Sequence, residues 1–145
     1  MQLQDIMTKP VIHISPRETV AVAARTLQKY NIGVLPVCDA GGRLCGMVTD
    51  RDLVTRCMAL GKSGEKTLVQ EVMTQQVTAV APDMQVPVAA HLMGRLQIRR
   101  LPVVENGHLK GMVSLGDLSK TEASVLDAAD ALADICTNIS PRDAW

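Results

Sequence analysis

The chain has 145 residues, enough for one ordinary domain or for two very small units that share a core, because smaller pieces bury too little surface to stand alone. Lys and Arg number 15 and Asp and Glu 15, with no long run of either sign, so no electrostatic footprint for nucleic acid or anionic lipid is expected, and a small molecule or a protein is the expected partner. Apolar residues make up 47% of the chain while Tyr30 and Trp145 are its only aromatics, which excludes an aromatic stacking groove and leaves the core to Val, Leu, Ile, Ala and Met.

Met1–Asp5 shows no basic region followed by an apolar stretch, and no apolar run approaches membrane-spanning length, so a cytoplasmic protein with no membrane segment is expected. Val11–Ile14 reads as a short extended piece and Ser15-Pro16 as a turn. A helix follows, with Val20, Ala23, Ala24 and Leu27 at helical spacing. Next comes a hairpin of Val34–Cys38 with Leu44–Thr49 around the glycine-bearing turn Asp39–Arg43. A second helix is expected over Asp52–Leu60, and Leu60–Lys66 is a polar connector.

The order then repeats. Val77–Val80 is extended, Ala81-Pro82 turns, and Val86, Ala89, Ala90 and Met93 mark a helix. A hairpin of Leu101–Val104 with Leu109–Ser114 turns at Glu105–His108, and a short helix covers Gly116–Thr121. A last helix, Glu122–Cys136, sets Val125, Leu126, Ala129, Leu132 and Ala133 on one face with Asp127, Asp130 and Asp134 off it. It is expected to pack on the body or on a second subunit, and Ile139–Trp145 is a tail.

A shift of sixty-six residues superposes Met7-Thr8 on Met73-Thr74, Val22-Ala23-Ala24 on Val88-Ala89-Ala90 and Leu35-Pro36-Val37 on Leu101-Pro102-Val103. After the loss of one residue in the hairpin turn, Gly46-Met47-Val48 falls on Gly111-Met112-Val113 and Asp52-Leu53 on Asp117-Leu118. A period this long means two copies of one β-α-β-β-α unit: repeat 1 over residues 5–60, a linker over 61–70, repeat 2 over 71–121 and a C-terminal helix and tail over 122–145. The copies check each other. Ser15-Pro16-Arg17-Glu18 resembles a capping box that would start the first helix early, but the same start in the second copy would put Pro87 inside a helix, at a cost of about 3 kcal/mol. Both helices are therefore expected to begin later, near Thr19 and Gln85.

Cys38, Cys45, Cys57 and Cys136 lack Cys-x-x-Cys spacing, so reduced thiols are expected. Cys38 and Cys45 flank the first hairpin turn, which leaves a redox pair as an alternative. His13, His91 and His108 fall in strand, helix and turn and read as structural or exposed, with a metal site as the minority alternative. No nucleophile elbow, metalloprotease helix or Walker-type loop is present, and no enzyme activity is expected.

The motif Gly46-Met47-Val48-Thr49-Asp50-Arg51-Asp52 recurs as Gly111-Met112-Val113-Ser114-Leu115-Gly116-Asp117, each copy preceded by a φ-Pro-φ strand and opened by Met-Thr. In this the chain resembles the tandem cystathionine-β-synthase (CBS) domain pair, and more narrowly the stand-alone bacterial CBS-pair proteins, including stress-induced ones. The resemblance covers about residues 5 to 119. It implies an α/β (α+β) fold with the two repeats packed sheet to sheet. It also implies a homodimer formed through helices, and a non-catalytic energy- or stress-sensing module. The implied ligand is an adenosine compound such as AMP, ADP, ATP or an S-adenosyl compound, with no other cofactor.

In such a pair an Asp carboxylate near a helix start accepts ribose hydroxyls, while a Thr or Ser hydroxyl three residues earlier donates to phosphate. Carried onto this sequence, the preferred cleft combines Thr49, Arg51 and Asp52 with Val77, Thr78, Ile98, Arg99 and Pro102. The second combines Ser114 and Asp117 with Val11, Ile12, Ile32 and Pro36. Arg51 and Arg99-Arg100 favour the first for a phosphate chain, Asp50 opposes it, and Leu115-Gly116 leaves the second without local charge. Asp52 and Asp117 also suit plain helix capping, and a ligand-free dimeric scaffold docking on a client protein is the alternative function.

Overall fold

In the computed structural model, which describes residues 1–120 and 125–137, the first helix of each repeat starts at the later of its two candidate positions. Helix α1 spans Val20–Tyr30, and the side chain of Thr19 caps it by accepting the N–H of Val22 at 3.3 Å. The matching helix α4 spans Val86–Leu96 with Pro87 in its first turn, where a backbone N–H would lack a helical partner in any case. Both helices end on a left-handed residue, Asn31 at φ 52° and Gln97 at φ 57°, which closes their last turns.

Strands β1 (Val34–Cys38) and β2 (Leu44–Thr49) form one antiparallel sheet, and β3 (Arg100–Glu105) and β4 (His108–Ser114) another. The fold class is thus the expected mixture of helices and small sheets. The extended pieces before α1 and α4 each touch their sheet through one residue, Ile14 bridging Val37 and Val80 bridging Val103, both parallel. Helices α2 (Asp50–Arg56) and α5 (Leu115–Ser119) begin directly after β2 and β4, slightly earlier than the sequence suggested, because Thr49 and Ser114 act as their caps. Met58–Leu60 is a separate 3₁₀ turn closed by Gly61 at φ 71°.

A four-residue helix, α3 (Val69–Val72), was not expected. It is too short to show a helical period, and the Glu71 carboxylate holds its start by accepting the Leu68 N–H at 2.7 Å.

Backbone contacts divide the chain into two compact units that do not follow the repeats. The α1 unit holds Ile12–Val77 with Gly107–Leu109, and the α4 unit holds Met1–Val11, Thr78–Asn106 and the chain from Lys110. Each Met-Thr segment therefore lies with the hairpin of the other repeat. Thr74 and Met47 exchange backbone hydrogen bonds of 2.8 and 2.9 Å, and Thr8 and Met112 exchange bonds of 2.8 and 3.1 Å. The motif glycines make room for this. A Cβ on Gly46 would sit 2.6 Å from the Thr74 carbonyl oxygen, and one on Gly111 3.2 Å from that of Thr8, so only glycine allows so close an approach.

The core of the α1 unit centres on Ala23, Leu35, Val37, Val48, Val69 and Val72, all fully buried. The core of the α4 unit gathers Leu3, Ala89, Met93, Leu101, Val103 and Leu118. Helix α6 (Val125–Thr137) packs on α4 and α5, though not with the face expected from the sequence. Ala128, Ala131 and Ile135 are buried, whereas Leu126 is 76% and Leu132 42% exposed. Small residues decide the register: a Cβ on Gly94 of α4 would lie 3.3 Å from the Ala131 Cα, an approach that leucines at the contact would prevent. Thr121, Glu122, the Val125 side chain and the tail Ile139–Trp145 lie outside the described residues. No helix among the described residues is long and apolar enough to cross a membrane.

Candidate functional site

The strand-to-helix junctions after β2 and β4 share one construction. The N–H of Asp50 donates to the Gly33 carbonyl at 3.1 Å, and that of Leu115 to the Arg99 carbonyl at 2.8 Å, so each junction is tied to the residue three past the end of α1 or α4. A reciprocal capping box follows. The Thr49 N–H donates to Asp52 Oδ2 at 2.9 Å and the Asp52 N–H to Thr49 Oγ1 at 3.1 Å. The bonds between Ser114 and Asp117 measure 2.8 and 3.1 Å. The capping reading is therefore realised at both junctions.

Each box engages only one carboxylate oxygen, and the two sites differ in what meets the other. Asp52 Oδ1 has an ion pair with Arg56 Nε at 3.7 Å, too long for a hydrogen bond. Asp117 Oδ1 accepts from Lys120 Nζ at 3.3 Å. Arg56 spends its own donors elsewhere, chiefly on the Val72 carbonyl at 3.1 Å. Asp52 thus keeps the freer acceptor. Neither Arg56 nor Lys120 was singled out in the sequence, although a base three or four residues after an acid on a helix is the spacing that brings such a pair together.

The predicted residue sets are divided between the units. The α1 unit carries Thr49, Arg51, Asp52 and Val77 of the preferred set, and Ile12, Ile32 and Pro36 of the second. The α4 unit carries Thr78, Ile98, Arg99 and Pro102 of the preferred set, and Val11, Ser114 and Asp117 of the second. Ile12 and Ile32 pack against the α1-unit core and Ile98 against that of the α4 unit. Pro36 and Pro102 are buried, and their carbonyls accept the N–H groups of Ile14 and Val80, both at 3.0 Å. Arg51 is exposed, and its N–H takes up Asp50 Oδ1 at 2.8 Å.

One expectation is corrected. The Ser114 junction does not lack local cations: Arg99 and Arg100 line a cavity of about 490 Å³ together with Ser114. The two residues between Ser114 and Asp117 are uncharged, but the tie from Leu115 to the Arg99 carbonyl brings cations from the preceding segment.

Cys38, Cys45, Cys57 and Cys136 are all free thiols. Cys38 opposes Leu44 and Val37 opposes Gly46, so Cys45 is the extra residue of a β-bulge. Burial, with Cys45 and Asp39 nearby, pushes the Cys38 thiol up to about 11. Among the described residues no group of three or more His, Cys, Asp or Glu is placed to hold a metal ion.

The sequence profile described as CBS domain matches twice, over residues 3–59 and 69–124. The chain belongs to the CBS-domain family. This CBS pair is 41% identical over 141 residues to the CBS domain-containing protein YhcV of Bacillus subtilis, an alignment that spans 97% of the chain and 96% of that protein. A crystal structure of Hypoxic Response Protein I with two coordinated zinc ions is 30% identical, with a TM-score of 0.77 over 83% of this chain and 98% of that one. The CBS domain pair of protein MJ0100, solved in complex with 5′-methylthioadenosine and S-adenosyl-L-methionine, is 31% identical, with a TM-score of 0.71 over 83% of this chain and 94% of that one. Helix α6 lies beyond the second CBS match.

Proposed function

We propose that this CBS pair is a non-catalytic regulatory module that binds an adenosine-containing ligand (AMP, ADP, ATP or an S-adenosyl compound), with contributions from both repeats. The observation that carries the reading is the Asp52 carboxylate. Its Oδ2 is fixed by the Thr49 N–H while Oδ1 keeps only a 3.7 Å ion pair, which makes it an oriented acceptor for sugar hydroxyls. The ligands of the MJ0100 pair support the same chemistry.

In this reading Thr49, Arg51 and Asp52 act with Val77, Thr78, Ile98, Arg99 and Pro102 as the main site, and Ser114 and Asp117 with Val11, Ile12, Ile32 and Pro36 as the weaker one. Asp52 is preferred because Lys120 already occupies the second oxygen of Asp117. No further cofactor is needed. The module works in the cytoplasm as a homodimer joined through helices and passes energy or stress state to a client protein, because a ligand that prefers one arrangement of subunits shifts the population toward it.

A thermal-shift titration with AMP, ATP, GTP and S-adenosylmethionine tests the proposal. Adenosine ligands should raise the melting temperature progressively with concentration, and GTP should not. A flat response to all four sinks the ligand-binding reading and favours the scaffold alternative.

A further inference from the structure

One helical turn after Asp52 on α2, the guanidinium of Arg56 faces two ways. Its Nε lies 3.7 Å from Asp52 Oδ1. Its Nη1 donates to the Val72 carbonyl at 3.1 Å and, at 3.4 Å, to the Met73 carbonyl and Thr74 Oγ1. Val72 ends α3 and Met73 is its C-cap, so these are carbonyls that a helix end leaves without an intrahelical donor. All of these residues belong to the α1 unit.

This fork explains why Asp52 Oδ1 is aimed and yet open. The Thr49 N–H fixes Oδ2, but a carboxylate held by a single bond still swings, because its terminal torsion is broad. The cation beside Oδ1 favours one orientation. Since the carbonyls of Val72 and Met73 hold Nη1, the guanidinium does not close to hydrogen-bond distance, and Oδ1 keeps its lone pairs for a ligand. The Asp117 box shows the other outcome: Lys120, a point charge on a flexible stem, closes to 3.3 Å on Oδ1.

The second copy carries Thr121 at the position matching Arg56, and Lys120 stands where the first copy has Thr55. Arg56 also fastens a segment that leads to the proposed site. Thr74 exchanges backbone hydrogen bonds with Met47, and three residues later the chain reaches Val77.

We propose that Arg56 is the positioning residue of the Asp52 site, an inference that rests on the adenosine reading. Its fork aims Oδ1 without blocking it. It also ties the carboxylate to the Met73-Thr74 segment, so that Asp52 and the chain leading to Val77 form one preorganised surface.

Calorimetry with AMP, ATP and S-adenosylmethionine on the full chain and its variants tests this, with thermal melts alongside to show that each variant is folded. Arg56→Met keeps an apolar stem and loses the fork, and it should weaken the tightest of the three ligands about tenfold. In an Asp52→Asn background the same substitution should change affinity by less than about twofold, because no charged oxygen is left to aim. A purely structural Arg56 would weaken binding equally in both backgrounds. Arg56→Lys should not restore affinity, since its ammonium can settle on Oδ1 as Lys120 does on Asp117, and it carries the test by itself where Arg56→Met does not fold. If the parent binds none of the three ligands, the adenosine reading falls and the positioning role with it. If the parent binds and a folded Arg56→Met or Arg56→Lys protein binds alike, or if Arg56→Met loses equally in the two backgrounds, the positioning role alone is overturned.

Discussion

A Cβ placed on Gly46 would lie 2.6 Å from the carbonyl oxygen of Thr74, and that same carbonyl accepts the N–H of Met47 at 2.9 Å. The glycine and the threonine belong to different repeats of the sequence but to one compact unit. Gly46→Ala must push the Thr74 strand away and lose part of this pairing, because the obstacle is backbone and not a side-chain end. Overpacking of this kind costs about 2–3 kcal/mol, so the melting temperature should fall by about 5–10 °C. Gly42→Ala, in the exposed hairpin turn at φ 81°, should lose only the cost of a left-handed alanine, about 1 kcal/mol. Thermal melts of both variants decide, and an unchanged Gly46→Ala melt would contradict the close docking.

This exchange of Met-Thr segments also marks where the sequence stops being informative. Helix starts were legible because Pro87 is tolerated only in a first turn, and the hairpins because Gly and Asn punctuate alternating apolar runs. The Thr49–Asp52 pair was legible as a cap from its spacing, whereas its ligand role came only from the resemblance to the CBS pair. What sequence periodicity lacks is long-range partnership. Leu3 is fully buried because its N–H reaches the Met84 carbonyl at 2.9 Å, yet nothing near Leu3 foretells it. Likewise the buried stripe of α6 was misplaced because hydrophobicity ranks Leu126 and Leu132 above Ala128 and Ala131, while close helix packing against Gly94 ranks them the other way. Arg99 lies beside Ser114 through a backbone tie that no motif encodes.

Asp52 caps α2 and, in the proposed function, also meets the ligand, two roles that substitutions separate. Asp52→Ala removes both the acceptor for the Thr49 N–H and the oriented carboxylate. It should cost about 1 kcal/mol of stability and weaken adenosine-ligand binding about thirtyfold or more, from the loss of about 2–4 kcal/mol. Asp52→Asn keeps an oxygen for Thr49 but no charge, so stability should be nearly retained while affinity still falls about tenfold. Calorimetry alongside melts checks both. If Asp52→Asn binds AMP like the parent, the carboxylate is a cap and nothing more.

Cys38 gives the fold a pH dependence at the alkaline end. Its thiol is raised from 9.0 to about 11 by burial, so the folded state holds the proton more tightly than the unfolded chain does. The stability this provides is complete below about pH 9 and is lost as pH rises toward 11, by at most about 2–3 kcal/mol. Cys38→Ser, which cannot ionise there, should show a flatter stability profile between those limits. At pH 8, alkylation followed by mass mapping should label the exposed Cys136 well before Cys38, since the thiolate is the reactive form. Equal labelling rates would show that Cys38 is neither shielded nor raised.

The proposed helix-mediated dimer would make an uneven demand on the two repeats. In the α4 unit, α6 already covers α4 and α5 with Ala128, Ala131 and Ile135. The matching face of the α1 unit is a groove of about 550 Å³ lined by Ala21, Ala24, Leu53, Val54 and Met58, with Val54 51% and Met58 73% exposed. Exposed apolar side chains gathered on one face favour burial against another subunit, so the association should depend on α1 and α2. The double variant Val54→Glu with Met58→Glu alters no core residue and should retain its melting behaviour. Each added carboxylate would have to be desolvated in the interface, which costs more than the apolar contact it replaces contributes. Sedimentation equilibrium should therefore report a dimer for the parent and a monomer for the variant. A variant dimer of unchanged affinity would place the subunit contact on other helices.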